Sequence, residues 1–229
     1  VLDLGSTDKP EFVHGLFTQD GYDSTLVVTD TFKILEITGS SSGVTVYNGS
    51  MSATTKSYTA CSLANIEYVN RTDTAPVYRG PADTNFSVLS NFVPSSSCNS
   101  LRSYGDFLIA LNMTEDGVNL PTRVRYSDLA LSNQIPSTWD ATDLTNSAGF
   151  NDIVQMKTPI VDGLSLNTNF FIYSSDQVWQ MEFVGGAFIF NFRKVFDNCG
   201  VINTNCIVEH EGMHFVFDND DIYTHDGLT

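Results

Sequence analysis

The stretch Phe171-Ile172-Tyr173-Ser174-Ser175-Asp176-Gln177-Val178-Trp179 returns 44 residues later (171 to 215) as Phe215-Val216-Phe217-Asp218-Asn219-Asp220-Asp221-Ile222-Tyr223. Both read aromatic, β-branched, aromatic, two polar residues, Asp, polar, β-branched, aromatic. Apolar runs on either side of an Asn/Asp/Ser cluster mark two strands joined by a turn. A looser pair recurs upstream at an offset of 42 residues (69 to 111). There, Tyr68-Val69-Asn70-Arg71-Thr72-Asp73 leads to Pro76-Val77-Tyr78-Arg79, and Ala110-Leu111-Asn112-Met113-Thr114-Glu115-Asp116 leads to Pro121-Thr122-Arg123-Val124-Arg125-Tyr126. Val44–Gly49 echoes Ile222–Gly227, each a strand closing on Asn-Gly or Asp-Gly. Such a period suits one four-stranded propeller blade, typically about 40–50 residues. Elsewhere the apolar residues come in short β-branched and aromatic runs, such as Phe107-Leu108-Ile109-Ala110-Leu111, and no long stretch repeats at helical spacing. The expected fold is all-β, with β-propeller-like blades of antiparallel strands and long inserted rim loops.

Residues 1–57 read as an N-terminal β segment, part of the same propeller or of an adjoining β subdomain, and residues 58–229 as blades. Ser127 to Asn151, rich in Ser, Thr, Asn and Asp, reads as a long loop displayed on one rim. Four or five hairpins are legible, fewer than a closed ring with insertions needs. The chain also opens on Val1, so it reads as an excerpt of a longer protein.

Of 229 residues, 27 are acidic and 11 basic, for a net charge of −16, so a grip on nucleic-acid phosphates is disfavoured. No apolar run reaches the roughly 18 residues of a membrane span. Cys61, Cys98, Cys199 and Cys206 form no CxxC pair. They read as reduced thiols, with a Cys199–Cys206 disulfide as the other reading.

His210-Glu211-Gly212-Met213-His214 matches the H-E-x-x-H pattern, in which a helix turns both imidazoles toward one zinc ion and the Glu polarises a water. The flanks Cys206-Ile207-Val208 and Phe215-Val216-Phe217 are strand formers, and Gly212 is a turn residue. The stretch therefore reads as two strands joined at Glu211-Gly212-Met213. A zinc peptidase using His210, His214 and Glu211 is the alternative. Asp218-Asn219-Asp220-Asp221 fails as a calcium loop because Ile222 and Tyr223 occupy the positions that want Asp or Asn and then Gly. No catalytic, metal or cofactor residues are assigned. The sequons at Asn48, Asn70, Asn85 and Asn112 carry meaning only in a secreted protein. Trp139-Asp140, in the long loop, is the candidate partner anchor, against a Trp that folds back to pin its own loop.

The ordered series Arg123-Val124-Arg125-Tyr126-Ser127-Asp128, Trp139-Asp140, Thr145-Asn146-Ser147-Ala148-Gly149, Pro159-Ile160-Val161-Asp162-Gly163-Leu164, Asp176-Gln177-Val178-Trp179-Gln180-Met181, Val184-Gly185-Gly186 and Asp221-Ile222-Tyr223-Thr224-His225-Asp226-Gly227 resembles the β-propeller region of the tail nozzle, or tail tubular protein B (tail hub), of short-tailed bacteriophages. The resemblance covers Tyr58 to Thr229. It implies a virion structural protein, assembled in the host cytoplasm as a homo-hexameric ring below the portal and adaptor. Such a ring extends the genome-ejection channel, lets DNA pass without specific binding, and offers outer surfaces to fibres or spikes. It implies no enzyme activity and no cofactor. A glycan-binding propeller with rim aromatics such as Trp139 as its platform is a further alternative.

Overall fold

An offset of 44 residues carries the second and third strands of one sheet onto the second and third strands of the next. The computed structural model describes residues 8–17, 23–39, 43–186 and 188–228. Its regular structure is entirely strand, arranged as five antiparallel sheets in chain order. Blade I holds β1 (Pro10–Phe17), β2 (Asp23–Thr29), β3 (Lys33–Ile37) and β4 (Val44–Asn48). Blade II holds β5 (Tyr58–Leu63), β6 (Ile66–Arg71), β7 (Val77–Arg79) and β8 (Ser87–Val88). Blade III holds β9 (Ser96–Tyr104), β10 (Phe107–Glu115), β11 (Val118–Tyr126) and β12 (Gly149–Asp152). Blade IV holds β13 (Ile160–Leu166), β14 (Asn169–Ser174), β15 (Gln177–Phe183) and β16 (Phe190–Asp197). Blade V holds β17 (Ile207–His210), β18 (Met213–Phe217) and β19 (Ile222–His225).

The result is a five-bladed β-propeller arrangement. The first strands β1, β5, β9, β13 and β17 adjoin in series. The 42-residue offset likewise superposes β6 on β10 and β7 on β11. The third echo does not hold: Val44–Asn48 is the outermost strand of blade I, whereas Ile222–His225 is the third strand of blade V. Asn-Gly and Asp-Gly mark a turn whatever the rank of the strand before it.

Each joint between successive blades is one apolar core. Leu26, Val28 and Ile34 meet Tyr58, Val69 and Val77. Leu63 and Tyr68 meet Leu101, Leu108 and Met113. Ile109, Leu111 and Val124 meet Phe170, Ile172 and Met181. Phe171, Tyr173 and Val178 meet Val201, Ile207 and Val216. Full burial of one such side chain stabilises by about 1.5–3 kcal/mol. Position in the stack explains the strand sequences. Middle blades are covered on both faces, so β6 and β14 are near-continuous buried runs. In β18 burial alternates strictly, because only the face toward blade IV is covered by a described blade.

Three hairpins turn on two residues, both with positive φ: Ala64-Asn65 (53° and 65°), Asp116-Gly117 (48° and 79°) and Glu211-Gly212 (52° and 76°). This is the type I′ geometry whose twist matches the flanking strands.

Candidate functional site

The H-E-x-x-H stretch is a hairpin and not a helix. β17 and β18 pair as Ile207↔Val216, Val208↔Phe215, Glu209↔His214 and His210↔Met213. The turn is Glu211-Gly212, one residue shorter than the sequence reading, since Met213 already belongs to β18. Gly212 takes the second positive φ, where a side chain would be strained. Side chains alternate along a strand, and directly paired residues share a face. His210 therefore lies with Met213 on the exposed face, while His214 lies on the buried one. The two imidazoles point to opposite sides of the sheet and cannot converge on one ion. Among the described residues, no group of three His, Cys, Asp or Glu side chains converges as a metal site would require.

His214 instead joins a buried chain of hydrogen bonds that the sequence did not reveal. The Tyr173 hydroxyl of β14 lies 2.6 Å from His214 Nδ1 and 2.5 Å from His225 Nε2. The outer partners fix the proton positions. His225 Nδ1 accepts the Gly227 N–H at 3.0 Å, so the neutral ring carries its proton on Nε2 and donates to Tyr173. Tyr173 then donates to His214 Nδ1, and His214 Nε2–H donates to the Ser165 carbonyl at 3.0 Å. Every polar atom of the three side chains is satisfied while both rings are neutral. Burial lowers the His214 pKa. Burial, aided by the neighbouring His214, lowers His225 to about 4. Burial also drives the Tyr173 phenol well above its ordinary value. The chain rivets blade V to blade IV.

A second polar cluster ties the inner strands together. Asp162 of β13, 1% exposed, takes two hydrogen bonds from Arg102 of β9, Nε at 3.0 Å and Nη2 at 2.6 Å. It also accepts Ser100 O–H at 2.5 Å and Asn205 N–H at 2.9 Å. Arg102 reaches back to the Ala60 carbonyl at 3.3 Å, and Asn205 Nδ2 donates to the Tyr58 carbonyl at 2.7 Å. Blades II, III and IV and the segment entering blade V thus share one ion pair. Burial alone would raise the Asp162 carboxyl, but the Arg102 charge and these donors hold it below the usual range.

The long loop folds back over the joint of blades II and III. Trp139 is 2% exposed and meets Phe92 edge-on at 5.0 Å, so its ring is core and offers no surface anchor; of the pair only Asp140 stands in solvent. Arg125 donates to the Trp139 carbonyl at 2.8 Å. Asp128 accepts Ser137 O–H at 2.7 Å and Ser147 N–H at 2.9 Å. The Asp218 carboxylate caps the Gly200 and Asn219 N–H groups at 3.1 and 2.7 Å, the turn role expected of it. All four cysteines are free thiols, and burial raises the Cys61 and Cys98 thiols far above their ordinary range.

Among the surface hollows of the described residues, one pair shares its walls and forms a groove. Two hollows, of 460 and 200 Å³, lie on the rim between β12 and β16 and share Asn151 and Phe192 in their walls. Val184 and Phe188 flank the larger, and Trp179, Val154 and Gln155 the smaller. The larger falls in the range of ligand pockets, about 300–1,000 Å³. Sequence reasoning missed it, although Phe183-Val184-Gly185-Gly186 followed by Phe188, Phe190 and Phe192 carried the signal: an apolar hairpin tip. No protein-family model matches the chain, and no curated protein is significantly similar to it.

Proposed function

We propose that the chain is a structural component of a bacteriophage virion tail, of the tail-nozzle type. Its work is mechanical. A propeller-bearing subunit, repeated as a homo-hexamer below portal and adaptor, would contribute to the channel through which the genome leaves. Its rim would face fibres or spikes. The observation that carries this proposal is what the resembling residues do. Arg123 holds Asp152 through two 2.8 Å hydrogen bonds, Arg125 holds the Trp139 carbonyl, and Asp128 clamps the two ends of the long loop. Asp162 locks the inner strands, and Asp176 accepts Thr158 O–H at 2.6 Å. Five residues of the series that resembles the nozzle family, Arg123, Arg125, Asp128, Asp162 and Asp176, thus act as fasteners, the type of residue a load-bearing ring subunit needs. A net charge of −16 adds support, because an acidic lumen lets DNA slide without adhering. Native mass spectrometry of the protein expressed from its whole reading frame tests the assembly. Six copies per particle, alone or on addition of the adaptor, is the expected result. A protein that stays monomeric with the adaptor present contradicts it.

A further inference from the structure

We propose that the rim groove between blades III and IV binds a neutral oligosaccharide. The groove is walled by the edge strands β12 and β16 and overhung by the β15–β16 hairpin. In that hairpin, Gly185 and Gly186 adopt φ of 69° and 70°, and the chain comes out at Phe188, 80% exposed. Val154, on the far wall, is 85% exposed, and Val184 52%. Phenyl and isopropyl groups held this far into water are a standing cost that a monomer gains nothing from, and clusters of them mark binding surfaces.

The polar groups in the same walls decide what kind of ligand fits. Asn151, Asn191 and Gln155 line the two hollows, and their side-chain amides make no hydrogen bond to any described residue. Each amide offers two donors and one acceptor oxygen. An apolar protein surface laid over the groove would bury these amides unpaired, which is unfavourable. A pyranose chain meets both demands at once. Its ring faces present C–H groups that pack on phenyl faces, and its equatorial hydroxyls both donate to and accept from amides. The charge pattern selects further. The larger hollow has no charged group in its lining. The smaller has one, Asp152, already paired with Arg123. No cation is free there to take an anionic sugar, and a chain of net charge −16 repels one. A neutral hexopyranose chain is the ligand class that matches.

The test is direct binding of the purified protein to an array of neutral oligosaccharides covering α- and β-glucans, mannans, galactans and chitin fragments. A heparin hexasaccharide and oligosialic acid serve as anionic controls, and calorimetry follows on the hits. The expected result is saturable binding of at least one neutral chain with a Kd of about 0.1–1 mM, weakened about tenfold or more by Phe188→Ala and by Asn191→Leu. Both positions are exposed, so the circular dichroism spectrum and melting curve of each variant should match the parent. Leu144→Ala, an exposed apolar residue on the long loop, should bind as the parent does. Three outcomes overturn the proposal: no neutral chain binds, the anionic controls bind as well as the neutral chains, or Phe188→Ala and Asn191→Leu retain full affinity. Loss of self-association or of a protein partner in Phe188→Ala, with no glycan bound by the parent, would assign the groove to a protein instead.

Discussion

Acid should loosen blade V before the rest of the molecule, and His225 sets the size of the effect. The neutral ring donates through Nε2 to Tyr173 and accepts through Nδ1 from Gly227. Protonation puts a second hydrogen on Nδ1, facing the Gly227 N–H, and places a charge in a site where the residue is 2% exposed. The folded-state pKa is about 4 against an ordinary 6.5, with burial the largest cause and His214 the next. The native state therefore binds fewer protons than the unfolded chain between these values. Stability from this site is complete above pH 6.5 and is lost progressively as pH falls to about 4. At about 1.4 kcal/mol per unit, the loss is about 3 kcal/mol. His214, shifted in the same direction, adds to it. Carboxylate protonation relieves repulsion in so acidic a protein and works the other way, so a variant must isolate the imidazole. Urea unfolding of the parent and of His225→Asn, measured from pH 4 to 7, does so. The variant should be weaker at pH 7, and the gap between the two should close by about 3 kcal/mol on acidification. Parallel curves across that range would refute the assigned protonation states.

Three further substitutions have sizes set by the structure. Asp162→Ala leaves Arg102 charged and unpaired among the inner strands, and should lower the unfolding free energy by about 3–5 kcal/mol in denaturant titrations. Gly163→Ala places a Cβ 2.5 Å from the Phe170 ring and 2.9 Å from Leu111. Overpacking of that joint should cost about 1–3 kcal/mol or more, read as a lower melting temperature. Trp139→Ala empties the joint of blades II and III and should cost about 3–5 kcal/mol, with faster proteolysis within residues 127–148.

The strands and their blade-length recurrence were legible because blades meet the same demand at each step: two apolar strands on either side of a polar turn. The turn at Glu211-Gly212 was legible for a local reason, since Gly there outweighs the letters of a metal motif. What the sequence hid depends on the stack. His214 and His225 lie 41 and 52 residues from Tyr173, and only the packing of blade V on blade IV brings the three together. Trp139 sits among Ser, Thr, Asn and Asp, a composition that suggests solvent; its burial follows from Phe92 and the joint beneath it, which local composition does not register. Phe188 is the reverse case, an apolar side chain that the fold leaves exposed. In the sequence it resembles Phe170 and Phe171, yet the Gly185-Gly186 bend turns it out to the rim.

The central proposal is that this chain is a phage tail subunit, and cryo-electron microscopy of purified particles carrying its gene measures that most directly. The nozzle assignment predicts six copies of the five-bladed unit in a ring below the portal and adaptor, with the Ser127–Asn151 loop traced on one rim. Particles whose tail density has no place for the five blades, or whose peptides never include this sequence, would contradict it.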